Sequence, residues 1–355
     1  MNGMLTVDQA KLEAIVGQAV NDFGATISSA LVVIGDKLGL YKALAGAGPL
    51  TPAELAARTG TDERYVHPWL VNQAAGGYVA FNPATERYSL TPEQAVALTD
   101  ETSPFFIGGG FQVVTAAMKA EPRIAEAFRT GGGLAWGEHD EGLFQGTERF
   151  FRPGYEANLV QAWIPALDGA EARLRAGGTV ADVGCGHGAS TLIMARAYPN
   201  SRFFGFDFHA PSIERARELA AEEGLGDRVV FEVASATDFP GRDYDLIAYF
   251  DCLHDMGDPV GAMRHARQAL GPNGHLLIVE PMAGDNDAGN LNPVGRVYSA
   301  ASVLVCTPNA LATGHTALGT IATEQDLAKV IAAGGFSRFR RATETPFNRI
   351  FEARP

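Results

Sequence analysis

The chain has 355 residues, of which 46% are hydrophobic and 19% are charged, and 41 acidic against 28 basic residues give it a net charge of −13. This composition excludes bulk disorder and leaves enough apolar mass for about two domains. The acidic balance argues against a nucleic-acid partner, because phosphate neutralisation requires clustered Lys and Arg.

Cysteine content and hydropathy indicate the compartment. Cys185, Cys252 and Cys306 are too few for a disulfide framework and fit a reducing cytosol. The first residues, MNGMLTVDQAKLEAIV, are too acidic and too poorly apolar for a signal peptide. Apolar runs such as residues 30–34 fall far short of the roughly 20 residues that span a bilayer. We therefore expect a soluble, cytoplasmic protein with no membrane partner.

Residues 1–98 predict a mostly helical domain that begins with two helices over residues 5–45, where apolar residues recur at helical spacing. The apolar face of these helices is broad, and two helices cannot bury it by themselves. Twofold pairing with a second copy of the chain is the commonest way to cover such a face, so we expect a homodimer. The expected apolar stripe consists of Leu31, Val32, Ile34, Leu38, Leu40, Tyr41 and Leu44.

A helix–turn–helix unit with a hairpin is predicted over residues 49–98. Thr51-Pro52-Ala53-Glu54 is a capping box with proline in the first turn, so a helix starts there. A second helix follows to about Ala75, and residues 78–81 and 87–90 then alternate like the strands of a hairpin. This order of elements is that of a winged helix-turn-helix.

The segment from residue 99 to residue 175 is less regular. Glycine triplets at 108–110 and 131–133 interrupt helical patterns, and aromatic residues are dense throughout. We expect a linker followed by a helical segment that covers a pocket, with most of the aromatic rings in the core.

From residue 176 onward strands and helices alternate, which predicts an α/β domain over residues 176–355. Its strands are continuously apolar, as in a parallel sheet with helices on both faces. Two last strand-like segments, 337–342 and 347–353, leave no room for a crossover helix, so they must pair antiparallel. The other strands are expected at 179–183, 202–206, 228–232, 244–250 and 275–280, and helices near 189–197, 211–223, 259–270 and 324–334.

A glycine-rich loop follows the first of these strands. Gly184, Gly186 and Gly188 have the spacing G-x-G-x-G, and glycines after a strand let the backbone approach a ligand closely. Asp182 lies two residues before the first glycine, where a carboxylate suits an ammonium group better than a pyrophosphate. The spacing and this acid disfavour a nicotinamide-dependent oxidoreductase. The sequence therefore predicts a nucleotide-type cofactor at the carboxyl edge of the sheet.

Two further strand ends complete the predicted cofactor site. Asp207 ends the second strand, about 20 residues after the loop, where an acid is placed to bind ribose hydroxyls. The third strand ends near Ser235 and Ala236, whose short side chains leave room for an adenine ring against the backbone.

The motifs DVGCGHG, FGFD, SATDFP, YFDCLHDMGDP and LLIVEP resemble those of class I S-adenosylmethionine-dependent methyltransferases. The winged-helix segment narrows the resemblance to the O-methyltransferases that dimerise through such a domain. The resemblance is strong from residue 178 to residue 282 and weak from 100 to 170. It implies a Rossmann-like sheet of seven strands in the order 3-2-1-4-5-7-6, with the seventh antiparallel.

The resemblance also assigns residues to S-adenosyl-L-methionine, whose product is S-adenosyl-L-homocysteine. It places the methionine end of the cofactor at the glycine loop, the ribose at Asp207, and Phe250 beside the cofactor. Family members often carry an acid where Ser235 stands, so we expect the adenine contact here through a hydroxyl or the backbone. The expected cofactor residues are Asp182, Gly184, Gly186, Gly188, Asp207, Ser235, Ala236, Phe250 and Asp251.

His254, just past the fourth strand, resembles the catalytic histidine of O-methyltransferases. A hydroxyl acceptor must lose a proton, and a histidine is suited to accept it near neutral pH. Asp255 follows it, and Glu280, which ends the fifth strand, resembles the acid that orients this histidine. A second acid of the related plant enzymes is missing, because the matching stretch 317–324 is apolar at that position. The expected acceptor is a small molecule with a hydroxyl on an aromatic or polyketide-like framework.

Two other functions remain as alternatives. The same scaffold could methylate nitrogen or carbon, and the sequence does not separate these acceptors from oxygen. A DNA-binding regulator is disfavoured, because residues 1–100 carry ten acids against six bases and the second helix of the helix–turn–helix unit opens with Asp62 and Glu63.

No metal is expected. Close Cys-x-His pairs are unusual for structural zinc, and the glycine loop must face the cofactor. The other histidines show no ligand spacing, although His139 lies where it could reach a substrate. The residues considered for zinc are Cys185, His187, Cys252 and His254.

Overall fold

A computed structural model describes residues 7–355, so residues 5 and 6 of the predicted helical segment lie outside the described residues. The chain divides into two compact units, one ending at Thr115 and the other running from Ala116 to Pro355. The helix that contains this boundary is α6, Gly108–Met118. No helix in the described part of the chain is long and apolar enough to cross a membrane.

The N-terminal unit is mostly helical, and capping residues explain where its helices start. Asp8 caps the first helix by accepting hydrogen bonds from the backbone N–H groups of Ala10 and Lys11. Thr51 and Glu54 form the predicted capping box of the third helix, with hydrogen bonds in both directions. The helices are α1 Gln9–Lys37, α2 Leu40–Leu44, α3 Pro52–Thr59, α4 Glu63–Ala75 and α5 Pro92–Thr99.

The hairpin of this unit forms as predicted, with shorter strands. β1 Ala80–Asn82 and β2 Arg87–Ser89 pair antiparallel, with Phe81 opposite Tyr88. Helix α5, which follows the hairpin, was not predicted. It starts with a second capping box, in which Thr91 and Gln94 exchange side-chain and backbone hydrogen bonds.

The structure corrects part of the expected apolar stripe of the first two helices. Val32, Leu40, Tyr41 and Leu44 are buried in the core of the N-terminal unit, so they are not available to a partner. The burial of Leu40, Tyr41 and Leu44 follows from the fold of α2, which turns back against the unit after Gly39 adopts a left-handed conformation. Ile34 and Leu38 of the stripe remain exposed, and the other exposed large apolar residues of α1 lie nearer its start and are Leu12, Ile15, Val16, Val20, Phe23 and Ile27.

The C-terminal unit is a parallel sheet covered by helices on both faces, as predicted. One core lies between the sheet and helices that include residues 155–163 and 189–197, and the other lies under residues 259–269 and 324–333. The helices are α7 Glu121–Thr130, α8 Glu141–Asn158, α9 Ala170–Gly177, α10 Ala189–Ala197, α11 Ala210–Glu222, α12 Pro259–Ala269, α13 Pro293–Ala301, α14 Thr307–Thr313 and α15 Glu324–Ala333.

The order of strands in the sheet confirms the predicted fold class. Taken in sequence order, the seven strands lie as 3-2-1-4-5-7-6, and the last one is antiparallel to both of its neighbours. The first five are parallel, so their carboxyl ends meet at one edge. The strands are β3 Thr179–Val183, β4 Arg202–Asp207, β5 Val229–Val233, β6 Tyr244–Phe250, β7 Leu270–Pro281, β8 Arg338–Glu344 and β9 Asn348–Arg354.

Candidate active site

The loop after β3 turns sharply into α10 through glycines that no other residue can replace without strain. Gly184 and Gly188 have φ angles of 77° and 82°, a region that L side chains rarely adopt. A Cβ at Gly184 would lie 2.7 Å from Sγ of Cys252, and one at Gly188 would lie 2.5 Å from the ring of Phe231. The loop therefore packs against its neighbours with bare backbone.

Asp182 lies beneath this loop, where its side chain is fully buried. Its Oδ2 accepts hydrogen bonds of 2.6 Å from the hydroxyls of Ser190 and Thr191, which join β3 to the start of α10. Burial raises the pKa of Asp182 to about 6, against the opposing effect of these two hydroxyls. Asp182 is not among the described residues that line the adjoining cavity. Its hydrogen bonds therefore support the loop from below.

Asp207 ends β4 at the same edge of the sheet and is bonded to the loop. Its Oδ2 accepts a hydrogen bond from the backbone N–H of Gly186 at 2.9 Å, and its Oδ1 accepts one from that of His209 at 2.8 Å. Burial raises the pKa of Asp207, and the two N–H donors oppose the rise. The carboxylate is thus held in place and keeps further lone pairs for a ligand.

A cavity of about 560 Å³ opens at this edge, which is within the usual range for small-molecule sites. One face of α8 forms a wall of the cavity, with residues spaced three or four apart from Phe144 to Tyr155. Gly188 belongs to the loop but, like Asp182, lies outside the lining. The expected cofactor residues that do line the cavity are Gly184, Gly186, Asp207, Ser235, Ala236, Phe250 and Asp251.

The lining is strongly acidic. No Lys or Arg of the described chain lines the cavity, and the one imidazole that does is that of His187. Such a site attracts cations and repels phosphates. The carboxylates that line it are those of Glu148, Asp207, Asp251, Asp255 and Asp258.

Asp251 directly follows β6 in a left-handed backbone conformation, with a φ of 50°. This conformation is uncommon for a residue other than glycine. Its carboxylate accepts hydrogen bonds from the hydroxyl of Tyr155 at 2.9 Å and from Nδ2 of Asn348 at 2.8 Å. Burial, reinforced by the nearby Glu280, raises the pKa of Asp251 to about 7.

His254 and Glu280 form a buried pair. Nδ1 of His254 lies 2.8 Å from Oε2 of Glu280, and the backbone N–H of His254 donates to Oε1 at 3.3 Å. Burial lowers the pKa of His254, but the Glu280 carboxylate and the Cys306 thiol outweigh it and raise the pKa well above its usual value. The side chain of His254 is 3% exposed and does not belong to the cavity lining.

Asp255 connects this pair to the cavity, which it does line. A carboxylate oxygen of Asp255, a ring nitrogen of His254 and Sγ of Cys306 lie within 4.8 Å of one another. Burial raises the pKa of Asp255 to about 7, although the neighbouring His254 opposes this. The structure thus brings His254, Asp255 and Glu280 together, and of the three it presents only Asp255 to the cavity.

A second carboxylate–imidazole pair was missed by the sequence analysis. Nδ1 of His187 lies 2.9 Å from Oε2 of Glu148, and both side chains line the cavity. His187 could have been noticed inside the glycine loop. Glu148 carries no local signal, because its partner is 39 residues away in the chain.

Two family models match the chain. Residues 174–331 match a methyltransferase domain, and residues 26–100 match an Rv2258c-like winged HTH domain. A curated relative, 27-O-demethylrifamycin SV methyltransferase of Amycolatopsis mediterranei (strain S699), is 34% identical over 131 residues. That alignment covers 35% of this chain and 48% of the relative, so the chain spans less than half the length of this protein.

Solved structures share the fold over nearly their whole length. Mitomycin 7-O-methyltransferase MmcR matches with a TM-score of 0.72 at 20% identity, over 98% of this chain and 100% of that one. Human N-acetylserotonin methyltransferase in complex with SAM matches with a TM-score of 0.71 at 18% identity, over 99% of both chains. The chain therefore carries a methyltransferase domain together with a winged helix-turn-helix domain, and has the fold of the class I S-adenosylmethionine-dependent methyltransferases that its motifs resemble.

Proposed function

We propose that the protein transfers a methyl group from S-adenosylmethionine to a hydroxyl of a small aromatic or polyketide-like acceptor. The observation that carries this proposal is the cavity at the carboxyl ends of β3 to β6, where the glycine loop, Asp207 and the short residues Ser235 and Ala236 lie along one edge. Bound S-adenosylmethionine would supply the activated methyl group.

The charge of the cavity supports this cofactor. S-adenosylmethionine has a sulfonium and an ammonium group, and five carboxylates line the cavity without a Lys or Arg among the described residues. A dinucleotide would bring a pyrophosphate into this acidic lining, at a Coulomb cost. In the proposed complex Asp207 holds the ribose, Ser235 and Ala236 flank the adenine, and Phe250 packs beside the cofactor.

A hydroxyl acceptor is supported by the groups that can take up its proton. His254 accepts the proton in the proposed reaction, Glu280 orients the imidazole and stabilises its charged form, and Asp255 presents a carboxylate to the cavity beside it. An amine or carbon acceptor on the same scaffold would make less use of such a group. The names of the rifamycin and mitomycin relatives specify oxygen as the acceptor atom, which also favours the hydroxyl.

The N-terminal unit is proposed to form a homodimer through α1. Leu12, Val16, Val20, Phe23 and Ile27 are spaced four, four, three and four residues apart, so they share one helix face, and each is between 44% and 69% exposed. An apolar face of this length is normally covered, and a second copy of the same helix covers it by twofold symmetry.

A DNA-binding function is not supported by the residues of α4. This helix would be the recognition helix of a winged helix-turn-helix, but it is capped by Asp62 and begins with Glu63. Arg64, the nearest basic residue, is paired with Asp62 at 2.7 Å. Acids at this end would repel the phosphates on either side of a major groove.

The proposal is tested by calorimetry with S-adenosylmethionine, NADH and a DNA duplex, followed by a screen of phenolic, amine and carbon acceptors with methyl-labelled cofactor. We expect binding of S-adenosylmethionine alone, and label recovered in a methyl ether. Binding of NADH or DNA without S-adenosylmethionine would overturn the proposed function. Label recovered only on nitrogen or carbon would establish the alternative acceptors.

A further inference from the structure

His187 and Glu148 meet at the wall of the cavity from two different elements. His187 stands in the glycine loop between Gly186 and Gly188, and Glu148 lies on the cavity face of α8. The two side chains are 12% and 18% exposed, and Nδ1 of the imidazole lies 2.9 Å from the carboxylate. No described residue forms a hydrogen bond with the other ring nitrogen, Nε2.

The charges of the cavity leave one place for an anionic group of a ligand. S-adenosylmethionine has one carboxylate besides its two cationic centres, and the described lining offers it five carboxylates and one imidazole, that of His187. A ligand carboxylate beside any of these acids would be repelled by their like charge. His187 also lies two residues before the first residue of α10, whose amino end favours negative charge.

We infer that His187, held by Glu148, forms a carboxylate-binding subsite for the amino-acid end of the cofactor, an inference that rests on the proposed function. In the proposed complex Nε2 of the ring meets the ligand carboxylate, while Nδ1 stays with Glu148. The charged groups that face the pair are Arg152 and Arg215 near Glu148, and Asp207 and His209 near His187.

Two thioether nucleosides separate this subsite from the rest of the cavity. S-adenosylhomocysteine and 5′-methylthioadenosine share the adenine, the ribose and the thioether, but only the former has an amino-acid end. His187→Ala should raise the dissociation constant of S-adenosylhomocysteine by about tenfold to a hundredfold, the effect of losing a hydrogen bond to a charged group. It should leave the affinity for 5′-methylthioadenosine unchanged within twofold. Isothermal titration calorimetry on the full chain measures both constants.

Asp207→Asn is the matched control, because both nucleosides contain the ribose that Asp207 is proposed to hold. This variant should weaken the two ligands by the same factor. Glu148→Gln is a second test that keeps the shape of the side chain and removes its charge. It should reduce the affinity for S-adenosylhomocysteine by a smaller factor than His187→Ala does, and leave the affinity for 5′-methylthioadenosine unchanged. If His187→Ala does not fold, Glu148→Gln alone tests the subsite.

The outcomes separate this inference from the function on which it rests. A wild-type protein that binds neither nucleoside overturns the proposed function. A wild type that binds both, with S-adenosylhomocysteine affinity unchanged in His187→Ala and Glu148→Gln, overturns the subsite alone. Equal weakening of both nucleosides in folded variants also overturns it, since the pair would then only support the loop.

Discussion

The carboxylate of Asp207 accepts a hydrogen bond from the backbone N–H of Gly186 at 2.9 Å, so the end of β4 holds the glycine loop that follows β3. The second oxygen of the same carboxylate is held by the backbone N–H of His209. An acid fixed in this way needs little reorganisation to bind the hydroxyls of a ligand. The end of β4 and the glycine loop are therefore one hydrogen-bonded unit.

Removing this carboxylate should weaken the cofactor. Asp207→Ala is expected to cost about 1.5–3 kcal/mol of S-adenosylmethionine binding, the range for a hydrogen bond that involves a charged group. Calorimetry measures the affinity directly. Asp227→Ala, a change at an exposed acid outside the cavity, is the control and should leave binding unchanged. An unchanged affinity in Asp207→Ala would remove the residue from the cofactor site.

The sheet could be predicted from the sequence because each of its strands is marked by a local pattern of residues that recurs along the chain. Each buried strand is a continuous apolar run, and the terminal pair can only be antiparallel. Helix α5 was missed although Thr91-Pro92-Glu93-Gln94 has the same form as the capping box at Thr51, so a readable signal was overlooked. The helices between 293 and 313 were missed because a π-helical turn at Ser302–Cys306 interrupts the helical period.

The site was predictable where its residues stand at strand ends, as Asp207 and Glu280 do. Contacts between distant segments could not be predicted, because no sequence pattern links Glu148 to His187 or Cys306 to His254. The burial of His254 beside Cys306 follows from such a contact. Part of the expected stripe on the first two helices is buried for a related reason, since an apolar residue such as Val32 serves the core of its own unit equally well.

The stability of the protein should depend on pH through Asp182. Its pKa is raised to about 6 in the folded protein, from about 3.8 for an ordinary aspartate, because it is buried. The folded state therefore holds the proton more tightly than the unfolded state. The contribution to stability is fully present below the unfolded pKa and is lost as the pH rises through about 6.

Asp182→Asn removes this titration and keeps an oxygen that can accept from Ser190 and Thr191. The free energy of unfolding of the wild type relative to this variant should fall by about 2 kcal/mol between roughly pH 4.5 and pH 7.5. Urea denaturation of both proteins at the two pH values measures the difference. Parallel pH dependences for the two proteins would show that Asp182 has an ordinary pKa.

The exposed apolar face of α1 predicts a dimer that one charged substitution should dissociate. Phe23 is 65% exposed near the middle of this face, and Phe23→Glu would place a carboxylate in the proposed apolar interface. Multi-angle light scattering should give twice the chain mass of 37.6 kDa for the wild type and the single mass for the variant. Gln18→Glu, outside this apolar set on the same helix, should remain dimeric. A monomeric wild type at micromolar concentration contradicts the proposal.

Methyl transfer should require His254 in its neutral form. Because Glu280 and Cys306 raise the pKa of His254 well above its usual value, the neutral form grows as the pH rises, and the rate with a hydroxyl acceptor should rise with it. His254→Ala should lower turnover by roughly 10²–10⁴ and leave S-adenosylmethionine affinity nearly intact, since the residue lies outside the cavity lining.

Glu280→Gln distinguishes a catalytic pair from a structural one. The change removes a cause that raises the pKa of His254 and leaves the burial that lowers it, so the rising limb of the pH–rate profile should move to lower pH. Turnover at saturating pH should also fall, because the variant no longer stabilises the imidazolium. Profiles of kcat for both proteins, with one acceptor, measure these effects. A limb that stays in place, or full turnover in His254→Ala, would mean that the proton leaves by another route.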